Sequence, residues 1–153
     1  MSTLELAPLQ DQLSDELGNL IGDAYGYYID FVAEAPYVLK QSPEVQAGFY
    51  ARLNDFSHIV VTNLARGSVT MELLMRESAA EPDEEAVLSQ VLSVAGLLSV
   101  GFSFLLNVQS AADFQEKLTR LPAPARIWQR MNKEPVRRWL ELHGAGELAP
   151  PAA

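Results

Sequence analysis

Only two histidines, His58 and His143, are available for proton transfer or metal binding, and the chain contains no cysteine. Thiolate metal clusters, disulfide scaffolds and cysteine-nucleophile chemistry are therefore excluded. Asp55, Ser57 and His58 stand together in sequence, but a triad requires convergence in space. On a helix, residues 57 and 58 point about 100° apart. His58 also lies across from the stripe of Phe49, Phe56 and Val60, which predicts a solvent-facing side chain. His143 precedes Gly144 and reads as an ordinary residue at a helix C-terminus. No Gly-rich phosphate loop, G-x-S-x-G elbow, H-E-x-x-H or E-x-x-H motif occurs. The expectation is a protein without enzymatic activity, catalytic set, metal site or cofactor.

Two further groups have polar chemistry with a structural explanation. The acidic run at 81–85, Glu81-Pro82-Asp83-Glu84-Glu85, is either first-turn dipole chemistry or a cation site. Tyr25, Tyr27, Tyr28, Tyr37 and Tyr50 either line an aromatic pocket between the first two helices or mark the edge of the core.

Three surfaces could make contacts. Gly18, Gly22 and Gly26 recur at four-residue spacing on one side of the first helix. Three interior glycines cost about 2–3 kcal/mol relative to alanine, so close approach of another backbone is the expected return. That backbone belongs to a neighbouring helix, to a partner or second copy, or to a membrane-active assembly. The segment 86–108 carries no charge and presents a strip of Ser89, Ser93, Gly96, Ser99, Ser103 and Asn107 beside Val91, Leu98, Phe102, Phe104 and Leu105. Such a helix is the centre of a bundle or a membrane span. Its small-residue strip and that of the glycines are proposed to face each other. Near the C-terminus, Arg126, Arg130, Lys133 and Arg137 fall within roughly 60° on one helical wheel, opposite Trp128, Met131, Pro135, Trp139 and Leu142. This basic amphipathic pattern suits a partner groove, an acidic surface or anionic lipid. Its plainer reading is that the tryptophans close the bundle and the cations are solvated.

Helices must position these surfaces. A first helix is expected over about 9–35, with Leu13, Leu17, Leu20, Ile21, Ala24, Tyr28, Phe31, Val32 and Ala35 on one face. A second, over about 44–66, starts behind Ser42-Pro43 with Val45, Phe49, Leu53, Phe56, Val60 and Leu64 inward, and stops at Arg66-Gly67. A short helix over about 69–79 follows, with a hairpin at Arg66-Gly67 as the competing reading of the β-branched run. The uncharged helix begins near Pro82 and reaches about Asn107. Ser110 with Asp113 resembles a capping box for a helix over about 111–121. A last helical region over about 124–143 must kink or restart at Pro135. The fold class is all-α: a single-domain bundle of five to seven helices around the uncharged central helix, covering 9–146 between a flexible N-terminus, 1–8, and a Pro/Ala tail, 147–153.

The 153 residues include 20 acidic and 11 basic side chains, for a net charge of −9, with 48% hydrophobic residues, enough for a core. Residues 1–85 hold 15 of the acids and only 4 of the bases. A nucleic-acid partner is not expected from that balance. The first 16 residues contain no basic side chain, so no secretory leader is predicted and the cytoplasm is the default address. Leu20-Ile21-Gly22-Asp23 resembles the core of the death motif in the apoptosis-regulating B-cell-lymphoma family, and Trp139-Leu140 with Gly144 resembles that family's late Trp-x-x-x-x-Gly segment. The family's Asn-Trp-Gly-Arg motif is missing, and about thirty residues separate the apolar helix from Trp139 where the family has few, so the chain is not assigned to it. The leading functional expectation is a non-enzymatic acidic helical interaction protein (adaptor, inhibitor or assembly subunit) that binds another protein or its own copy. The alternatives are a membrane-associating protein, using 86–108 and the basic C-terminal helix, and a carrier or sensor of an apolar ligand.

Overall fold

The computed structural model describes residues 3–78, 81–144, 148, 150 and 151. The described residues are 85% helical, with no strand. Six helices follow in order: α1 (Thr3–Val38), α2 (Pro43–Ser78), α3 (Pro82–Phe104), α4 (Ala111–Arg120), α5 (Pro124–Met131) and α6 (Glu134–Leu142). α1 and α2 form a long hairpin, each about 54 Å at 1.5 Å per residue. α3 packs against both, and α5 and α6 together run back along α3 and α1 as a broken fourth helix. The result is an up-down-up-down four-helix arrangement, with α4 placed across the end where α1 turns into α2.

Local signals explain most helix ends. Ser42 Oγ accepts from Val45 N at 3.3 Å, and Gln46 ties the turn by donating to the Leu39 and Gln41 carbonyls. Pro82 opens α3, followed by Asp83, Glu84 and Glu85 in a first turn that complements the helix dipole. Ser110 Oγ accepts from Asp113 N at 3.1 Å and caps α4. Pro135 sits in the first turn of α6, where no intrahelical N–H is required, so the chain restarts there after Asn132.

Several boundaries differ from expectation. α1 begins at Thr3, so the supposed flexible segment 1–8 is helical from residue 3. α2 continues through Gly67 to Ser78, absorbing the separate helix expected at 69–79. The glycine does not stop the helix: it lies within α2 beside α1, where a Cβ would meet Leu17 Cδ1 at an ordinary contact distance of 3.4 Å. Val45 is half-exposed rather than part of the buried stripe. α3 ends at Phe104, and Asn107, at φ 60°, turns the chain while its N–H donates to Asn54 Oδ1. Of the expected tail, Leu148 is half-buried against the core.

The core centres on Phe102 of α3, which makes edge contacts with Tyr28 and Phe31 of α1 and Phe56 of α2 at 5.6, 6.4 and 5.6 Å. Phe49, Tyr50 and Phe114 extend the aromatic cluster to α4. Gly101 admits Tyr28: a Cβ at that position would lie 2.5 Å from Tyr28 Cε2. Tyr28 then donates its hydroxyl to the Pro122 carbonyl at 2.6 Å. Tyr25, equally buried, stacks on Trp128, and its hydroxyl has no protein partner.

Tyr28→Phe removes a made bond and should cost about 1–2 kcal/mol at pH 7, whereas Tyr25→Phe should leave stability unchanged or raise it. Burial pushes the Tyr25 phenol up to about 12 and raises Tyr28 and Tyr50 as well. The folded state holds these protons more tightly than the unfolded chain does. Their contribution is therefore complete below pH 10 and is lost as pH rises from 10 through the raised values. Urea denaturation at pH 7 and above pH 10 checks both points. The alkaline loss should be shallower in Tyr28→Phe, by about 1.4 kcal/mol per pH unit.

Candidate functional site

The structure separates the residues singled out from sequence. Gly18 of α1 lies directly under the end of α6, and a Cβ there would overlap the His143 carbonyl oxygen. Gly22 is half-buried, while at Gly26 a Cβ would have nothing within 4 Å. The glycines therefore do not form one seam: only the first of the three is shown to admit a backbone, and it belongs to the same chain. Nor do the two small-residue strips meet. Gly96 is open, Ser89, Ser93 and Ser103 are exposed on the outside of α3, Ser99 is half-buried, and Asn107 is exposed in the turn beyond the helix.

The C-terminal cations are divided between α5, the connection after it and α6, so they do not form the single continuous helical stripe expected. Arg126, Lys133 and Arg137 are exposed. Arg137 reaches Glu141 at 3.8 Å, and Arg130 is half-buried with Nη1 donating to Ser93 Oγ at 2.8 Å. Trp128 and Trp139 are half-buried and close the bundle. Asp55, Ser57 and His58 do not assemble: Ser57 is fully buried with no partner for its hydroxyl, while His58 is exposed. Among the described residues, no group of three His, Cys, Asp or Glu side chains is placed to hold a metal ion.

Two surfaces have geometry suited to binding. The first is a strip on the outside of α1. Glu16, Asp23, Asp30 and Glu34 are exposed and fall within about 60° of one another on the helix, with half-exposed Tyr27 among them. None of the four carboxylates has an ion-pair partner among the described residues, and α1 contains no Lys or Arg.

The second is an open cleft of about 440 Å³ at the end of the bundle where α2 passes into α3. Ser14, Gln10 and Asp11 come from α1, Met71 and Met75 from α2, Asp83, Glu84, Val87 and Leu88 from α3. α6 and its end supply Pro135, Arg138, Trp139, Leu142 and His143. Each helix contributes residues about one turn apart, which places them on one face. α6 is held over the cleft by its end: His143 Nδ1 lies 2.9 Å from Asp15 Oδ1, and its ring centre is 4.5 Å from that of Trp139. Gly144, at φ 92°, continues the contact onto Asn19.

Trp139 and Leu142 were evident from sequence as an apolar face. Ser14, Met71 and Met75 were not. The available signal was a serine set inside the apolar stripe between Leu13 and Leu17.

Space at the glycines determines the sign of substitution. Gly26→Ala should stabilise the protein by about 0.5–1 kcal/mol, the usual gain for an unobstructed helical glycine. Gly18→Ala gains the same propensity but forces α6 off α1, for a net loss of about 1–3 kcal/mol. Denaturation midpoints of the two variants should move in opposite directions.

No family model matches the chain, and no curated protein or solved structure matches it either, so its own surfaces carry the functional reading.

Proposed function

We propose that this protein is a non-enzymatic interaction protein of the cytoplasm, an acidic helical adaptor, inhibitor or assembly subunit that meets a basic surface of a partner protein along α1. The observation that carries this reading is the unneutralised strip Glu16, Asp23, Asp30 and Glu34. It extends about 27 Å at 1.5 Å per residue, comparable with one side of an ordinary protein interface. Tyr27, 49% exposed at its middle, offers an aromatic anchor within the charge. Carboxylates left unpaired within the fold remain free to steer a cationic partner, and the net charge of −9 reinforces the field.

A membrane-associating role is the second reading. One observation favours it: α3 is long and apolar enough, by length and composition, to cross a membrane. Against it, Leu88, Val91, Val94, Ala95, Leu98 and Phe102 of α3 are buried in the bundle. Insertion would remove them from the core.

The two readings separate experimentally. A partner captured on the wild-type chain should be released at about 0.5 M salt, where the screening length falls to about 4 Å. It should also be lost with Asp23→Lys/Asp30→Lys, whose exposed positions leave stability within about 0.5 kcal/mol. Retention unaffected by either change would remove the α1 strip from the interaction. In flotation with anionic vesicles, the protein should remain in the dense fraction; recovery with lipid would replace this proposal with the membrane reading.

A further inference from the structure

We propose that the cleft between α1, α2, α3 and α6 binds a small amphiphilic organic cation, an amine or quaternary ammonium carrying one apolar group. Its volume, about 440 Å³, lies within the range of small-molecule sites. The inner wall is apolar and polarisable: Met71 and Leu88 are buried, and Met75 and Trp139 are half-buried beside them. Thioethers and an indole face accept apolar groups, and the indole also attracts a cation.

The mouth has the opposite character. Asp11, Asp83 and Glu84 are exposed there, and none has an ion-pair partner among the described residues. The one guanidinium at the cleft, Arg138, is bound to Glu134 at 2.6 Å. The N-terminus of α3 contributes about half a positive charge, which its own first-turn carboxylates exceed. An anion entering this mouth would meet three carboxylates.

A separate observation lies deeper. Ser14 is only 5% exposed and lines the cleft, and its hydroxyl makes no hydrogen bond among the described residues. A hydroxyl in that position can accept from an ammonium N–H or donate to a hydroxyl on the ligand. Apolar wall, unpaired carboxylates and a serine hydroxyl at the cleft together fit an amphiphilic cation better than a neutral or anionic molecule.

Three probes of one shape test this on the full chain: 4-phenylbutylamine, 4-phenylbutanol and 4-phenylbutyrate, titrated calorimetrically and by amide and indole nuclear magnetic resonance. The amine should bind about tenfold more tightly than the alcohol, as expected for a ligand charge facing partly solvated carboxylates, and the butyrate more weakly than either. Shifts should concentrate at Ser14 and the Trp139 indole, leaving the Trp128 indole as an internal control. Asp11→Asn/Asp83→Asn/Glu84→Gln should reduce the amine to the alcohol's affinity. Because all three positions are exposed, its circular dichroism should match the wild type. Ser14→Ala should weaken amine binding a few-fold with the charge preference retained. Equal binding of amine and butyrate, shifts centred away from Trp139, or no response to any probe at millimolar concentration would each overturn the assignment.

Discussion

The contact of Tyr28 with the backbone of α3 at Gly101 holds the remaining packing in place. Only a residue without a Cβ lets the phenol ring lie against α3 there. The next residue, Phe102, then fills the space between α1 and α2 with three edge-on ring contacts. The same tyrosine reaches beyond α3 and binds the Pro122 carbonyl, fixing the chain immediately before α5. From that point α5 can place Trp128 on Tyr25, and α6 can bring His143 down onto Gly18. α5 and α6 both pack on α3, and α6 also reaches α1. The cleft is the space left where α6 spans from α3 to α1.

Features encoded by neighbouring residues were legible in the sequence. The stripe from Leu17 to Ala35, the Ser110 cap and the restart at Pro135 each depend on side chains within a turn or two. Gly67 was misread because arginine followed by glycine marks a helix end only where the chain is free to turn. Here Leu17 of α1 packs over the glycine, and the helix continues. The glycine strip was misread for a related reason. Four-residue spacing drifts by about 40° per step, so Gly18 and Gly26 lie about 80° apart around α1, and the end of α6 meets the first while the second stands open. The acidic half of the chain was plain from composition. That four of its carboxylates would stand unpaired along α1 depends on where the cations fall in space.

Charge contributes little to holding this bundle together. The Lys and Arg ion pairs among the described residues are local, between residues four apart on one helix. Pairs of that kind are worth about 0.3–0.5 kcal/mol each. The carboxylates of α1 and the cations of α5 and α6 lie on elements of the same small domain, yet no Lys or Arg pair joins them among the described residues, and the polar contact there is Asp15 with His143 just beyond α6. Stability comes from apolar burial, and the surface charge is left to act over distance. Self-repulsion from a net charge of −9 is a cost of that arrangement.

The absence of charge over 86–108 has two different causes on the two sides of α3. Inward, Val91, Leu98 and Phe102 fill the core, and a charge among them would be desolvated without a partner. Outward, Ser89, Ser93, Gly96 and Ser103 keep the surface small and polar, with Val100 the one large apolar side chain exposed on the helix. Mean hydropathy merges the two sides and marks the whole helix as able to span a membrane. The side chains do not support both states together. The residues that would face lipid are those that hold α1, α2 and the α5–α6 return in place, and the serines would enter a medium without water. Insertion of α3 and retention of the bundle are therefore mutually exclusive. A surface interaction that leaves α3 where it is requires no such exchange.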